Sequence, residues 1–197
     1  MARTQAQDFD DKRVAIMKQA AGLFASKGFS GASVSDISKA CGVSKSLIYH
    51  YFGAKEDILY QVMTEHIDDL VAIISDPELI DLDATQEFHN LTLALLECYA
   101  GAQNAQKVLL YDLNKLTPQQ RKTIVKKQRD IIDRFEHVYI RINPDIATNR
   151  ALLRTKIMLF FGSVNWIHNW YDPQGEINRH TLSALAVANI ISSQPLE

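Results

Sequence analysis

The sequence predicts an all-α chain, with a small N-terminal head joined to a larger helical body. Three observations carry that reading. Apolar residues recur every three or four positions from Val14 almost to the C-terminus, and no stretch alternates with period two for long enough to make a strand. Helix-stopping punctuation falls at helical distances: Gly28, Gly42, Gly53, Asp76-Pro77, Asn143-Pro144 and Asp172-Pro173. The last segment mixes large apolar residues with alanines at a spacing that allows helices to approach closely. With 197 residues and 47% hydrophobic content the chain can hold one large or two small domains around a real core.

Residues 1–9 read as a frayed polar tail. From Asp10, the positions Val14, Ile16, Met17, Ala20, Ala21, Leu23 and Phe24 give a first helix, stopped by Gly28. Ser33-Val34-Ser35-Asp36 resembles a capping box and starts a short second helix, with Val34, Ile37 and Ala40 expected inward. Cys41-Gly42-Val43 ends it. Ser44 caps a third helix, on which Leu47, Ile48, Tyr51 and Phe52 fall on one side and Lys45, Ser46, Tyr49 and His50 on the other. A fourth helix from about Lys55 to Ile74 follows without a linker, so it would join head and body directly.

The body continues with helices over Ala84 to about Gln103 and Gln106 to Leu116. Thr117-Pro118 is a cap with proline at the first helical position, and a long helix then runs to about Ile142. Ala147 to Tyr171 is apolar on nearly every side around Ile157–Phe161, and is expected to be buried on both flanks. A turn at Asp172-Pro173-Gln174-Gly175 leads to a last helix over about Asn178 to Ser192, carrying Ala184, Ala186 and Ala188.

The chemistry concentrates on the third helix. Its polar face holds a cation, a hydroxyl, a phenol and an imidazole, and no carboxylate, where a merely solvated face would mix in Asp or Glu. Two short helices joined by a turn containing Gly are the sequence form of a helix-turn-helix, whose second helix enters the major groove with its N-terminal residues at the base edges. Charge distribution fits a DNA-reading head. Residues 1–60 contain eight Lys/Arg against six Asp/Glu, a net +2, whereas the remainder stands at −4 with a whole-chain charge of −2.

Other chemistries find less support. Cys41 and Cys98 are far apart and sit in no CxxC or Cys/His cluster, so neither a disulfide framework nor a zinc site is expected. Glu65, His66 and Asp69 bring ligand-type residues together, but without a second cluster they read as a solvated helix face. No Gly-x-Ser-x-Gly and no Gly-rich phosphate loop occurs, so neither an enzyme nor a cofactor is expected. The absence of an apolar signal segment or long apolar span implies a cytoplasmic chain with no membrane partner.

The pattern Ser33-Val34-x-x-Ile37-x-x-Ala40-x-Gly42-Val43-Ser44-x-x-x-x-Tyr49-x-Tyr51-Phe52-x-x-Lys55-x-x-Ile58-Leu59 resembles the signature of the TetR family of bacterial transcriptional regulators. Ser33, Ser38, Cys41 and Ser46 are the small departures from it. The resemblance implies an all-α homodimer with a three-helix helix-turn-helix head over 1–54 and a ligand-binding and dimerisation body over 55–197. By position it implies that Ser33, Ser44, Tyr49, Tyr51 and Lys55 hold phosphates, and that Lys45, Ser46 and His50 lie closer to the bases of a double-stranded operator. The helical wheel leaves Tyr51 ambiguous, since it also faces inward with Phe52.

Looser likenesses in the body, Asn114–Arg121, Gln128-Arg129 and Asn169–Gly175, resemble members of the family that sense acyl-CoA thioesters. Asp172 and Gln174 depart from that group. On this reading Tyr99, Phe135, Trp166 and Trp170 would line a slot for a small-molecule effector, with Arg121, Lys126 and Arg129 at its mouth for the phosphates of CoA. The plain alternatives are core or subunit contacts for the rings and an exposed basic helix start for the cations. Two rival functions stand beside a ligand-released repressor. One is the same fold sensing drug-like cations through Glu97, Asp112 and Glu136; the other is an all-α module with no DNA role.

Overall fold

A computed structural model of the chain describes residues 2–79 and 83–192, with side chains from residue 7 onward. Among the described residues it is helical throughout, with α1 (Ala2–Lys27), α2 (Val34–Cys41), α3 (Lys45–Tyr51), α4 (Lys55–Ile74), α5 (Ala84–Gly101), α6 (Gln103–Tyr111), α7 (Pro118–Ile142), α8 (Arg150–Trp166) and α9 (Arg179–Ser192). Single 3-10 turns occupy Pro77–Leu79, Leu113–Lys115, Pro144–Thr148 and Ile167–Asn169. The all-α reading holds.

Two compact units form. The first takes Met1–Ile67 with Ala102–Val125, the second Asp68–Gly101 with Lys126–Glu197. α4 and α7 are each unbroken helices that contribute residues to both.

In the first unit α1 packs on α2 and α6. Its core joins Ile16, Met17, Ala20 and Phe24 of α1 to Ile37, Ile48, Phe52, Ile58 and Leu59. Three local expectations need correction here. Helix α1 starts at Ala2, so the expected polar tail is helical (Met1 lies outside the described residues). Phe9 stands seven and eight residues before Ile16 and Met17 on the same side of the helix, where its half-open ring meets Tyr51 of α3. On α2 it is Ser38 and not Ala40 that turns inward with Ile37; the Ser38 hydroxyl satisfies itself on the Ser35 carbonyl at 3.0 Å. His66, expected on a solvated face, is buried and hydrogen-bonds Gln106 of α6 at 2.7 Å, while Glu65 pairs with Arg13 at 2.5 Å. A helix stripe one residue wider than the apolar pattern thus carries a polar tie.

In the second unit α9 packs on both α5 and α8. Aromatic rings fill the centre. Phe88 meets Phe135 edge-on with centroids 5.1 Å apart, and Phe160 at the same distance. Beside them Glu87, fully buried, binds Arg134 at 2.6 Å and Arg141 at 2.5 Å. Such a triad adds little net stability but is costly to break, so it fixes the register of α5 on α7.

Further corrections of helix limits and burial concern α6 and α8. α6 begins three residues earlier than expected and ends at Tyr111, where the chain tightens into a 3-10 turn. α8 begins after Asn149, whose side chain accepts from the Leu152 amide at 3.0 Å, and ends at Trp166. Within the single chain it is buried on one flank only. Leu153, Ile157, Phe160, Phe161 and Val164 face inward, whereas Met158, Leu159 and Trp166 face out, Leu159 with 71% of its surface exposed.

Candidate nucleic-acid interface and effector site

The head assembles from caps outward. At the start of α2 the Ser33 hydroxyl accepts from the Asp36 amide at 3.1 Å and donates to Asp36 Oδ2 at 2.6 Å; the Ser33 amide donates to the same carboxylate at 2.9 Å. The bonds from Ser33 hold the Asp36 carboxyl down at a pKa of about 2. Gly42 then takes a left-handed φ of 66°, and the Val43 amide reaches back to the Ser38 carbonyl at 3.0 Å, which turns the chain sharply into α3. Ser44 caps α3, accepting from the Leu47 amide at 3.1 Å.

On α3, Ile48 is buried and Leu47 half-buried, as is Tyr51. Lys45, Ser46, Tyr49 and His50 are all exposed, so the acid-free face is one continuous surface. Ser44 stands at its N-terminal edge with its hydroxyl proton still free of the cap, since the cap uses it only as an acceptor.

Two expected phosphate contacts are placed otherwise. Ser33 spends its hydroxyl proton on Asp36, so the hydroxyl has no proton left to give a phosphate there. Lys55 turns back into the head. Its ammonium donates to the carbonyls of Phe29 at 2.8 Å and Ala32 at 2.9 Å, and lies 4.1 Å from the centre of the Phe29 ring. That lysine ties the 28–33 turn to α4. It is a structural cation, because buried carbonyls at a helix-to-helix turn have few other donors.

Sequence reasoning missed one residue at this surface. Phe9, near the start of α1, packs its ring against Tyr51 with centroids 4.4 Å apart and against His50 at 6.2 Å. Its signal was available in its helical spacing to Ile16 and Met17.

The expected effector residues do not form one slot. Phe135 is fully buried within the ring cluster, with Phe161 at 5.0 Å and Phe160 at 5.7 Å. Trp166 and Trp170 are each 59% exposed, and Tyr99 is half-buried. Phe135 therefore belongs to the core and the two tryptophans to the outside of the second unit. An apolar ring at the centre of a packed cluster gains more from neighbouring rings than from an open site. Arg121, Lys126 and Arg129 are exposed along α7.

A half-open hollow of about 210 Å³ lies between α8 and α9, lined by Lys156, Leu159, Phe160, Ser163, Ala186, Asn189 and Ile190. The carboxylates that a cationic effector would use do not converge on one apolar site, and one of them is already paired. Glu136 is paired with Arg154 at 2.8 Å and Glu97 is exposed; Asp112 is half-buried, and burial raises its carboxyl above the ordinary value. Cys98 is likewise pushed up to about 11 by burial, which makes it a poor nucleophile. Among the described residues no group of three metal-ligating side chains occurs, and no helix is long and apolar enough to cross a membrane.

Comparison with known proteins places this geometry. Residues 16–62 match the family described as "Bacterial regulatory proteins, tetR family", and residues 81–193 match "Tetracyclin repressor-like, C-terminal domain". A TetR-family transcriptional regulator from Bordetella parapertussis has a crystal structure that superposes with a TM-score of 0.88 at 34% identity, covering 91% of this chain and 94% of that one. The transcriptional repressor KstR2 of Mycobacterium tuberculosis is 24% identical over 195 residues, 92% of each chain. AibR, in a crystal structure with isovaleryl coenzyme A and operator DNA, shares the fold at a TM-score of 0.76 and 20% identity, covering 90% of this chain and 97% of AibR. With both of its parts matched in order along the sequence, the chain belongs to the TetR family of ligand-responsive, DNA-binding transcriptional regulators.

Proposed function

We propose that the protein is a homodimeric repressor that holds a near-palindromic operator and releases it when an acyl-CoA thioester binds. The observation that carries the DNA reading is the exposed, carboxylate-free face of α3. Residues 1–54 form the DNA-binding part and 55–197 the effector-binding and dimerisation part. Lys45, Ser46 and His50 read base edges; Ser44, Tyr49 and Tyr51 hold phosphates. In the dimer two such helices enter successive major grooves, roughly 34 Å apart.

The effector class rests on the likeness of the body to acyl-CoA sensors and on the fold shared with AibR, which binds isovaleryl coenzyme A. Arg121, Lys126 and Arg129 offer exposed cations for the CoA phosphates. The acyl group needs space inside the second unit, so binding favours an arrangement in which its aromatic core is repacked. Only a ligand with different affinity for the two arrangements can release DNA, and a tenfold loss of operator affinity requires about 1.4 kcal/mol of coupling. The paired state of Glu136 favours this effector over a drug-like cation.

Selection of bound duplexes from a random pool tests the first part: a near-palindrome is expected, and Lys45→Ala should relax one base position per half-site by about 1–3 kcal/mol. An unchanged Lys45→Ala profile removes that residue from base reading. Release of the selected operator by isovaleryl or longer acyl-CoA, against the free acid and CoA alone, tests the second. Equal release by the free acid would return the basic stretch to an exposed helix face.

A further inference from the structure

The aromatic contact between α1 and the recognition helix carries a consequence for DNA reading. Phe9 comes from a turn of α1 on which Asp8 and Lys12 form an exposed ion pair at 2.8 Å. It is 41% exposed, so it contributes little to the core of the first unit. Its ring lies instead on Tyr51, tilted at 33°, and presents an edge to His50; His50 and Tyr51 are in turn edge-to-face at 5.6 Å. Three rings thus form one cluster on the surface at the C-terminal end of α3. His50 belongs to the exposed face proposed to touch DNA, Tyr51 is the half-buried residue proposed to hold a phosphate, and the third ring comes from another helix more than forty residues away in sequence.

We propose that Phe9 is a positioning residue for operator recognition, holding the Tyr51 and His50 rings of the recognition helix in their DNA-reading orientation. The proposal rests on the reading of α3 as the DNA-contacting helix. An exposed imidazole and a half-buried phenol at the end of a seven-residue helix would otherwise sample several rotamers. Freezing them on DNA would oppose binding, and a ring already packed against both removes that cost in advance. Phe9 bears no charge, so it adds nothing to the phosphate attraction that draws the protein to any duplex. Its effect therefore falls more heavily on the operator than on other duplexes, because base reading by His50 is specific to sequence whereas the phosphate contact of Tyr51 is shared by every duplex.

The test measures binding by fluorescence anisotropy to the selected operator and to a scrambled duplex of equal length. Full-length wild type, Phe9→Ala and Phe9→Tyr are compared over a range of salt, at a temperature where circular dichroism shows all three folded. Phe9→Ala is expected to lose about five- to tenfold on the operator, the discrimination of one poorly read base pair, with a clearly smaller loss on the scrambled duplex and the salt slope unchanged. Phe9→Tyr, which keeps the ring, is expected to restore operator binding. Equal losses on both duplexes, or no loss on the operator, overturn the positioning role while leaving α3 as the reader. A wild-type protein with no preference for any duplex overturns the α3 reading itself, and the inference with it.

Discussion

At the scale of single residues, the polar side chains of the head divide by what their donors already bind. Ser33 and Ser44 occupy equivalent N-cap positions, yet Ser33 has given its proton to Asp36 while Ser44 retains its own. Lys55 has two of its three donors on backbone carbonyls within the head. Lys55→Met keeps the stem over Phe29 and removes those bonds, which should destabilise the protein by about 2–3 kcal/mol, since hydrogen bonds to a charged group are worth about 1.5–3 kcal/mol each before relaxation. Thermal unfolding checks the loss. The slope of operator affinity against salt should stay unchanged; a slope shallower by about one phosphate would restore the contact first expected of this lysine.

At the scale of the element, α2 owes its start to a reciprocal cap and its end to a left-handed glycine. The cap has a titratable half. Asp36 is held at about 2 in the folded protein against an ordinary 3.8, and a depressed carboxyl pKa means that the unfolded chain binds the proton more readily. Its contribution to stability is complete above about pH 4 and is lost as pH falls towards 2. In Ser33→Ala the larger of the bonds that depress Asp36, the one from the hydroxyl, is gone, while the backbone amide still donates. Urea unfolding at pH 7 and at pH 3 should therefore differ less for Ser33→Ala than for wild type. An equal acid dependence would mean that the cap does not set the Asp36 titration. Gly42 limits the same element from the other side, because a side chain there would be strained at φ 66°.

At the scale of the whole molecule, the outer face of α8 and α9 asks for a partner. Met158 and Leu159 on α8 and Leu185 on α9 are exposed, with Ala184 and Ala188 beside Leu185, around the hollow lined by Leu159 and Ala186. A large exposed apolar area is the ordinary mark of an interface, and a two-fold axis would pair this face with itself. Leu159→Arg would place an unpaired charge in that contact and should weaken dimerisation by about 3–5 kcal/mol. Sedimentation of wild type and variant at micromolar concentration is the check. A monomeric wild type would sink the dimer, and a variant dimer of unchanged affinity would move the interface away from α8.

The all-α class, the turn at Gly42, the caps at Ser33, Ser44 and Thr117 and the acid-free face of α3 were legible in the sequence because each is decided within about ten residues. Helical period, cap chemistry and a glycine's φ are local quantities. Partners distant in sequence were not legible. Nothing in the pattern around Lys55 says that the carbonyls of Phe29 and Ala32 will stand within reach. The pattern around His66 does not reveal that Gln106 will meet it, nor do the rings of Phe135 and Trp166 reveal which is core and which is surface. An apolar or aromatic residue at the right period gains by burial wherever an opposing face exists, and the fold alone supplies that face. So the sequence by itself determined the all-α class and the acid-free polar face of α3, while the tertiary structure decided where several helices end, which cations are ties, which rings are core, and that Phe9 stands over α3.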